Sequence, residues 1–176
     1  MNKKLLIGAM VALIAVVGAW YAFSPQWTLW QMREAAEARN VDKLSNYIDY
    51  PKVRESMKSQ LKAAMAAKMM EGGSNGFEAL GMAMGMQMMD PMIDAMISPE
   101  GMQAGLANAS KKEPREGPKK APFELGADKD SEIMRDGFNI FRVVLKKPKE
   151  EPSHLIFERR GLGWVMVGIQ MPTEKL

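Results

Sequence analysis

The feature that most constrains this chain is the uncharged stretch LLIGAMVALIAVVGAWYAF at residues 5–23. Its 19 residues are close to the roughly 20 that a helix needs to cross a bilayer. Two lysines precede it, and Trp20 and Tyr21 lie near its end, where aromatic rings favour the membrane interface. The stretch predicts a transmembrane anchor over residues 1–23, with the lysines in the cytoplasm.

A cleaved signal peptide is the alternative for this segment, because it shares a basic tip and an apolar centre. Cleavage requires small residues just before the cut, whereas Trp20, Tyr21 and Phe23 occupy that end. We therefore expect an uncleaved single-pass anchor. The N-terminus is then cytoplasmic and the remaining domain lies on the other side of the membrane.

Residues 24–61 predict three short helices with sharp starts, because a short polar residue repeatedly comes before a proline. The polar side chain can cap the first free N–H groups, and proline suits the first helical position. We interpret every copy of this pattern as a helix cap and none as an active site. The copies are Ser24-Pro25, Asp90-Pro91, Ser98-Pro99 and, with one residue between, Asp49-Tyr50-Pro51.

Helical periodicity predicts that residues 24–107 form the helical part of the domain. In the first helix after the anchor, Leu29, Met32 and Ala36 share one apolar face. Trp30 widens that face, and we expect its ring in the core.

Several breaks divide this helical part. Asn40 ends the first helix, the glycine-rich residues 72–76 end the third, and Pro91 and Pro99 each restart a short one. Residues 108–122, NASKKEPREGPKKAP, lack periodicity and predict a flexible basic linker or loop.

The pattern becomes β in residues 123–176, which we assign to the same domain. Residues 147–152 predict an exposed loop, and Gly161-Leu162-Gly163 a tight hairpin. Helices followed by an antiparallel three-stranded sheet give an α+β fold. By analogy with nuclear-transport-factor-like or cystatin-like domains, we expect the sheet to give a cone-like shape. The predicted strands are residues 137–146, 153–160 and 163–172.

Five segments resemble a bacterial group of membrane-anchored proteins, domain-of-unknown-function family 2939. The resemblance implies an N-terminal membrane segment and an envelope protein of unknown role, so we expect the anchor in a bacterial inner membrane and the domain in the periplasm. It offers no catalytic residue to carry over. The segments are Ser24-Pro25, Asp49-Tyr50-Pro51, RESMKSQL at 54–61, MIDAMISPEGM at 92–102 and GLGWVMVGIQMP at 161–172.

Charge and cysteine content exclude several functions. Without Lys3 and Lys4, the chain has 22 basic and 21 acidic residues, so it lacks the basic surface expected of a nucleic-acid-binding protein. The absence of cysteine excludes disulfides, thiolate metal sites and cysteine nucleophiles. With His154 as its one histidine, a zinc site or a Ser/His/acid triad is not expected.

Methionine is the most conspicuous candidate for chemistry, with 18 in the chain. Thioethers are soft ligands for Cu(I), but methionine also fills cores and adaptable binding grooves. Asp90 and Asp94, four residues apart, are a weaker candidate pair for a hard cation. The candidate soft-metal ligands are Met82, Met84, Met86, Met88 and Met89.

The sequence therefore predicts a membrane-anchored envelope protein that binds or scaffolds and does not catalyse, with no cofactor. Its expected partners are the membrane and an envelope protein, lipid or small hydrophobic ligand, held in a groove between helices and sheet. Cu(I) binding by the Met-rich segment 82–89 is the alternative.

Overall fold

The computed structural model describes residues 3–71, 76–109, 131–147 and 150–172. In these ranges helices come first and strands follow, which confirms the α+β prediction. The elements are α1 (Lys3–Glu37), α2 (Val41–Ser45), α3 (Tyr50–Glu71), α4 (Gly76–Met96), α5 (Pro99–Ala109), β1 (Ser131–Arg135), β2 (Ile140–Lys147), β3 (Glu150–Arg160) and β4 (Gly163–Gln170).

Helix α1 runs unbroken from the apolar N-terminus into the domain. Its most apolar part has a mean hydropathy of 2.3, and none of it is buried. By length and composition it is the one helix in the described ranges that could cross a membrane. Further along, Leu29, Met32 and Ala36 are buried against the rest of the domain, as their spacing predicted. The N-terminal part of α1 is thus an exposed apolar extension, and its C-terminal part belongs to the core of the domain.

The predicted helix start at Ser24-Pro25 is wrong, because Pro25 lies inside α1. Proline lacks the N–H that would donate to the carbonyl of Tyr21, four residues earlier. That carbonyl instead accepts hydrogen bonds from Ser24 Oγ at 3.0 Å and from Arg135 Nη2 at 2.8 Å. These two side-chain donors replace the missing one, so the helix continues through the proline.

Of the other three predicted caps, two are confirmed. Pro91 lies inside α4, so no helix restarts there. Ser98 Oγ accepts a hydrogen bond from the Gly101 N–H at 3.0 Å and caps α5. Asp49 Oδ1 accepts one from the Lys52 N–H at 3.2 Å and caps α3.

The end of α1 confirms the predicted break at Asn40. Arg39 has a φ of 53°, in the left-handed region that often ends helices. The Asn40 N–H donates to the Ala35 carbonyl at 2.9 Å, which closes the helix. Asn40 Oδ1 then accepts from the Lys43 N–H at 2.9 Å and caps α2.

Over the described residues the sheet is open and has four antiparallel strands, not three, in the order β1-β2-β3-β4. The sequence reasoning missed the edge strand β1, in which Ile133 alone packs against the core and the other side chains are polar or exposed. The predicted Gly161-Leu162-Gly163 hairpin is confirmed, with Gly161 at a φ of 60°.

The core lies between one face of the sheet and the helices α1, α2 and α3. At its centre the rings of Phe141 and Phe157 stack at 4.6 Å, and Trp164 meets Phe141 edge-on at 4.9 Å. The predicted core position of Trp30 is wrong, since its side chain is 54% exposed. It lies one residue from Leu29, about 100° around the helix, and pairs with exposed Trp27 instead.

Three predicted loops fall partly outside the described residues. Residues 72–75 are outside, but α3 ends before them and α4 begins after them. Residues 110–122 of the predicted linker are outside, while α5 extends to Ala109. The loop predicted at 147–152 is wrong at both ends, because Lys147 pairs with Glu150 and β3 begins there.

Candidate functional sites on the α3–α4 face and at the α1 junction

An open groove of about 490 Å³ lies along α3, where it faces α4. Its cations recur every fourth residue of α3, so they lie on one face of that helix. The groove is charged and lies between two helices, and the ligand groove expected between helices and sheet stays a prediction. Its lining residues are Pro51, Arg54, Glu55, Lys58, Ser59, Lys62 and Asp94.

Ion pairs connect the two helices across this groove. Asp94 Oδ1 lies 2.7 Å from Lys58 Nζ and 3.8 Å from Arg54 Nη1. Asp90 Oδ2 lies 3.6 Å from Lys62 Nζ. Pairs this exposed are worth at most about 1 kcal/mol each. They therefore align α3 with α4 and add little to the free energy of unfolding. One oxygen of each carboxylate is paired with a cation, while Asp90 Oδ1 is buried without a hydrogen-bond partner among the described residues. The described residues contain no metal-type cluster of carboxylate, His or Cys side chains.

The segment RESMKSQL, at residues 54–61, contacts α4 from one side of α3 and β4 from the other. Residues two apart lie on opposite sides of a helix, and Arg54 and Lys58 point to α4. Ser56 and Gln60 point to β4, where the Gln60 amide donates to the Ile169 carbonyl and accepts from the Met171 N–H at 3.0 Å. Ser56 Oγ donates to the same carbonyl at 3.4 Å. The pattern therefore fastens α3 to the edge of the sheet.

Helix α4 exposes a stripe of methionines, which we call the Met stripe. Its members recur every fourth residue, and each is at least 64% exposed. Met92 and Met96 lie two residues from Asp94, so the stripe projects away from α3. Met89, by contrast, is buried. The Met stripe consists of Met84, Met88, Met92 and Met96.

Two glycines lie on the same face of α4 as the Met stripe. Gly81 and Gly85 lie one turn apart, and a Cβ atom at either would meet nothing within 4 Å. Small residues four apart let a second helix approach closely. The stripe thus combines a shallow gap with adaptable apolar side chains.

The five candidate copper ligands do not share one face. Met88 and Met89 are successive residues, about 100° apart around α4, and the structure places one in solvent and the other in the interior. The side chains of Met82 and Met86 lie outside the described part of the chain. Soft-metal binding by this segment stays a prediction. In this structure Met88 and Met89 do not face the same point, so they do not form a ligand pair.

His154 lies in β3, half-buried and opposite Val144 and Gln170. Its Nδ1 atom is buried and has no hydrogen-bond partner within the described ranges.

The junction between α1 and the sheet is a second site, which the sequence reasoning missed. The guanidinium of Arg159 lies over the rings of Tyr21 and Trp164, 4.6 Å from each centroid, and 5.7 Å from that of Trp20. Two of its nitrogens, Nε and Nη2, are buried and have no hydrogen-bond partner in the part of the chain that the structure describes. Desolvated cation–π contacts of this kind are worth about 2 kcal/mol.

Further contacts fix the junction. Arg135 Nη2 donates to the carbonyls of Tyr21 and Ala22 at 2.8 and 2.9 Å. Trp164 Nε1 donates to the buried Ser24 Oγ at 2.9 Å. The signal in the sequence was Pro25, which leaves a carbonyl free within an apolar helix.

Ion pairs hold the β1–β2 hairpin beside the junction. The Arg142 guanidinium donates to the Asp136 carboxylate and lowers the pKa of that carboxyl below its usual value. Lys146 donates to Glu132 at 2.8 Å and lowers the pKa of Glu132 in the same way. Both pairs stabilise the charged form of the carboxylate.

Fold and site define a class: a small α+β domain continuous with one N-terminal helix apolar and long enough to cross a membrane. The model of the family described as protein of unknown function (DUF2939) matches residues 14–104, more than half of the 176 residues, and the chain belongs to this family. No curated protein and no solved structure matches the chain.

Proposed function

We propose that this protein is a single-pass, membrane-anchored docking domain without catalytic activity, placed on the periplasmic side of a bacterial inner membrane. The observation that supports this most is the continuity of α1, because the exposed apolar part and the buried part belong to one helix. A domain joined in this way keeps its orientation relative to the bilayer.

The orientation follows from charge. Lys3 and Lys4 flank the apolar stretch on one side, and lysine near a span stays in the cytoplasm. Trp20 and Tyr21 occupy the other end, as interfacial aromatics do. The domain then lies outside the cytoplasm, where a chain without cysteine has no thiol to oxidise.

The partner we propose is an apolar helix of another membrane or envelope protein, docked on the Met stripe. Gly81 and Gly85 leave the gap that a crossing helix requires. Methionine side chains adapt to the shape of such a helix, and the ion-paired groove with Lys58 and Asp94 lies on the other side of α4.

The test is native mass spectrometry of the full-length protein extracted gently from its own membrane. Wild-type protein is expected to carry a second protein, and Gly85→Leu to lose it because the added side chain fills the gap. Gly105→Leu on α5 is the matched control, since Gly105 is equally open. A bare wild-type monomer, a complex of two identical copies, or a complex insensitive to Gly85→Leu would overturn the proposed partner.

A further inference from the structure

Two hairpin tips at the same end of the sheet expose large apolar side chains. Phe138, between β1 and β2, is 80% exposed, and Leu162, between β3 and β4, is 76% exposed. Single exposed apolar residues are common on proteins. Phe138 contacts Tyr21 at the end of the apolar part of α1, and Leu162 lies on the hairpin whose Arg159 contacts the same tyrosine. This shared position requires an explanation.

Phe138 lies at the level of the end of the apolar stretch. Tyr21 Oη donates to the Phe138 carbonyl at 3.1 Å, and the two ring centroids are 6.1 Å apart. Residues 5–23 extend about 28 Å at 1.5 Å per residue, close to the hydrocarbon thickness of about 30 Å. A bilayer filled by this stretch has its boundary near Tyr21, and therefore near Phe138.

Leu162 belongs to the neighbouring hairpin, which also contacts the end of the stretch. Arg159 on β3 lies over the rings of Trp20 and Tyr21. Leu162 follows three residues later at the outer tip of that hairpin. Phe23 on α1, 70% exposed, adds a third apolar side chain to the same end of the domain.

We propose that Phe138 and Leu162 insert into the interface of the bilayer that α1 crosses, so that the domain rests directly on the membrane surface. The occupant is lipid of that same membrane, because Phe138 contacts Tyr21 at the end of the apolar stretch and the hairpin of Leu162 contacts the same residue through Arg159. This inference rests on the proposed membrane anchor. The domain then contacts the membrane at α1, Phe138 and Leu162, and these three contacts together prevent it from tilting about α1.

Spin labels on single cysteines test this, since the chain has no cysteine of its own. The full-length variants Phe138→Cys and Leu162→Cys are placed in nanodiscs of phosphatidylethanolamine and phosphatidylglycerol. Accessibility to oxygen, which concentrates in lipid, is compared with accessibility to a water-soluble nickel chelate. Val11→Cys, within the apolar stretch, reports the anchor, and Glu151→Cys, on an exposed residue near the other end of the sheet, reports water.

The expected result is that both tip labels favour oxygen over nickel, at shallower depth than the label at residue 11. Tip labels as nickel-accessible as that at residue 151 would overturn the inference while leaving the anchor intact. Tip labels shielded from both reagents would indicate a protein partner and overturn it as well. A water-exposed label at residue 11 would overturn the anchor and the inference together.

Discussion

Trp164 and Ser24, 140 residues apart in the chain, meet in the core through a hydrogen bond of 2.9 Å from the indole Nε1 to the serine Oγ. Both residues are buried, at 1% and 6% exposure. The bond joins the last strand to the point where α1 enters the domain. Ser24 Oγ also donates to the Tyr21 carbonyl that Pro25 leaves free, so one hydroxyl serves both the helix and the sheet.

Ser24→Ala is expected to lower the free energy of unfolding of the domain by about 1–3 kcal/mol, because a buried N–H then lacks an acceptor. Urea unfolding of the full-length protein in mild detergent, followed by near-ultraviolet circular dichroism, measures the loss. In the double variant with Trp164→Phe the second substitution should cost less than it does alone. Fully additive losses would show that the two side chains are not coupled.

Gln60→Leu is expected to cost about 1–3 kcal/mol, because it removes the amide that bonds the backbone of residues 169 and 171 at the sheet edge. Gln103→Leu on α5 is the control, since Gln103 is exposed. Urea unfolding compares the two. Equal effects would contradict the assignment of Gln60 to the contact between α3 and β4.

Gly101→Ala and Gly105→Ala should change stability in opposite directions. A Cβ at residue 101 would come closer than 3.0 Å to the carbonyl oxygens of Ala95 and Met96, so we expect a loss of about 1–3 kcal/mol. Residue 105 lies in open space within α5, where alanine should gain up to about 1 kcal/mol over glycine. Thermal unfolding of both variants checks the sign, and a tolerated alanine at 101 would contradict the close approach of α4 and α5.

The β1–β2 hairpin should loosen in acid. The folded-state pKa of Asp136 is lowered, so its ion pair with Arg142 stabilises the folded state above the ordinary aspartate pKa. That contribution is lost as the pH falls through the lowered folded-state value. Carboxyl-carbon NMR titration should show Asp136 titrating below the usual range and returning toward it in Arg142→Gln. An unchanged titration in that variant would refute the pairing.

Much of the fold could be predicted because the signals were local. The apolar face of Leu29, Met32 and Ala36 follows from spacing, and the break at Asn40 and the caps at Asp49 and Ser98 follow from side chains that bond neighbouring N–H groups. Such features depend on a few consecutive residues.

The errors came from contacts between distant residues. Pro25 stays helical because Arg135, 110 residues later, donates to the carbonyl it leaves free. The contacts of Arg159 could not be predicted, because nothing in its own strand indicates that two rings of α1 and one of β4 pack against it. The edge strand β1 was missed because just one of its side chains, Ile133, packs against the core.

The proposed topology is an N-terminal helix that crosses the membrane, with the N-terminus on one side and the domain on the other. It is tested by labelling single cysteines from one side of the membrane. Spheroplasts that make full-length Glu151→Cys or Asn2→Cys are treated with a membrane-impermeant maleimide, before and after permeabilisation. This topology predicts labelling of residue 151 in intact spheroplasts, labelling of residue 2 after permeabilisation alone, and an intact mass that includes the apolar stretch. The opposite labelling, release by an alkaline carbonate wash, or a mass without residues 1–23 would contradict it.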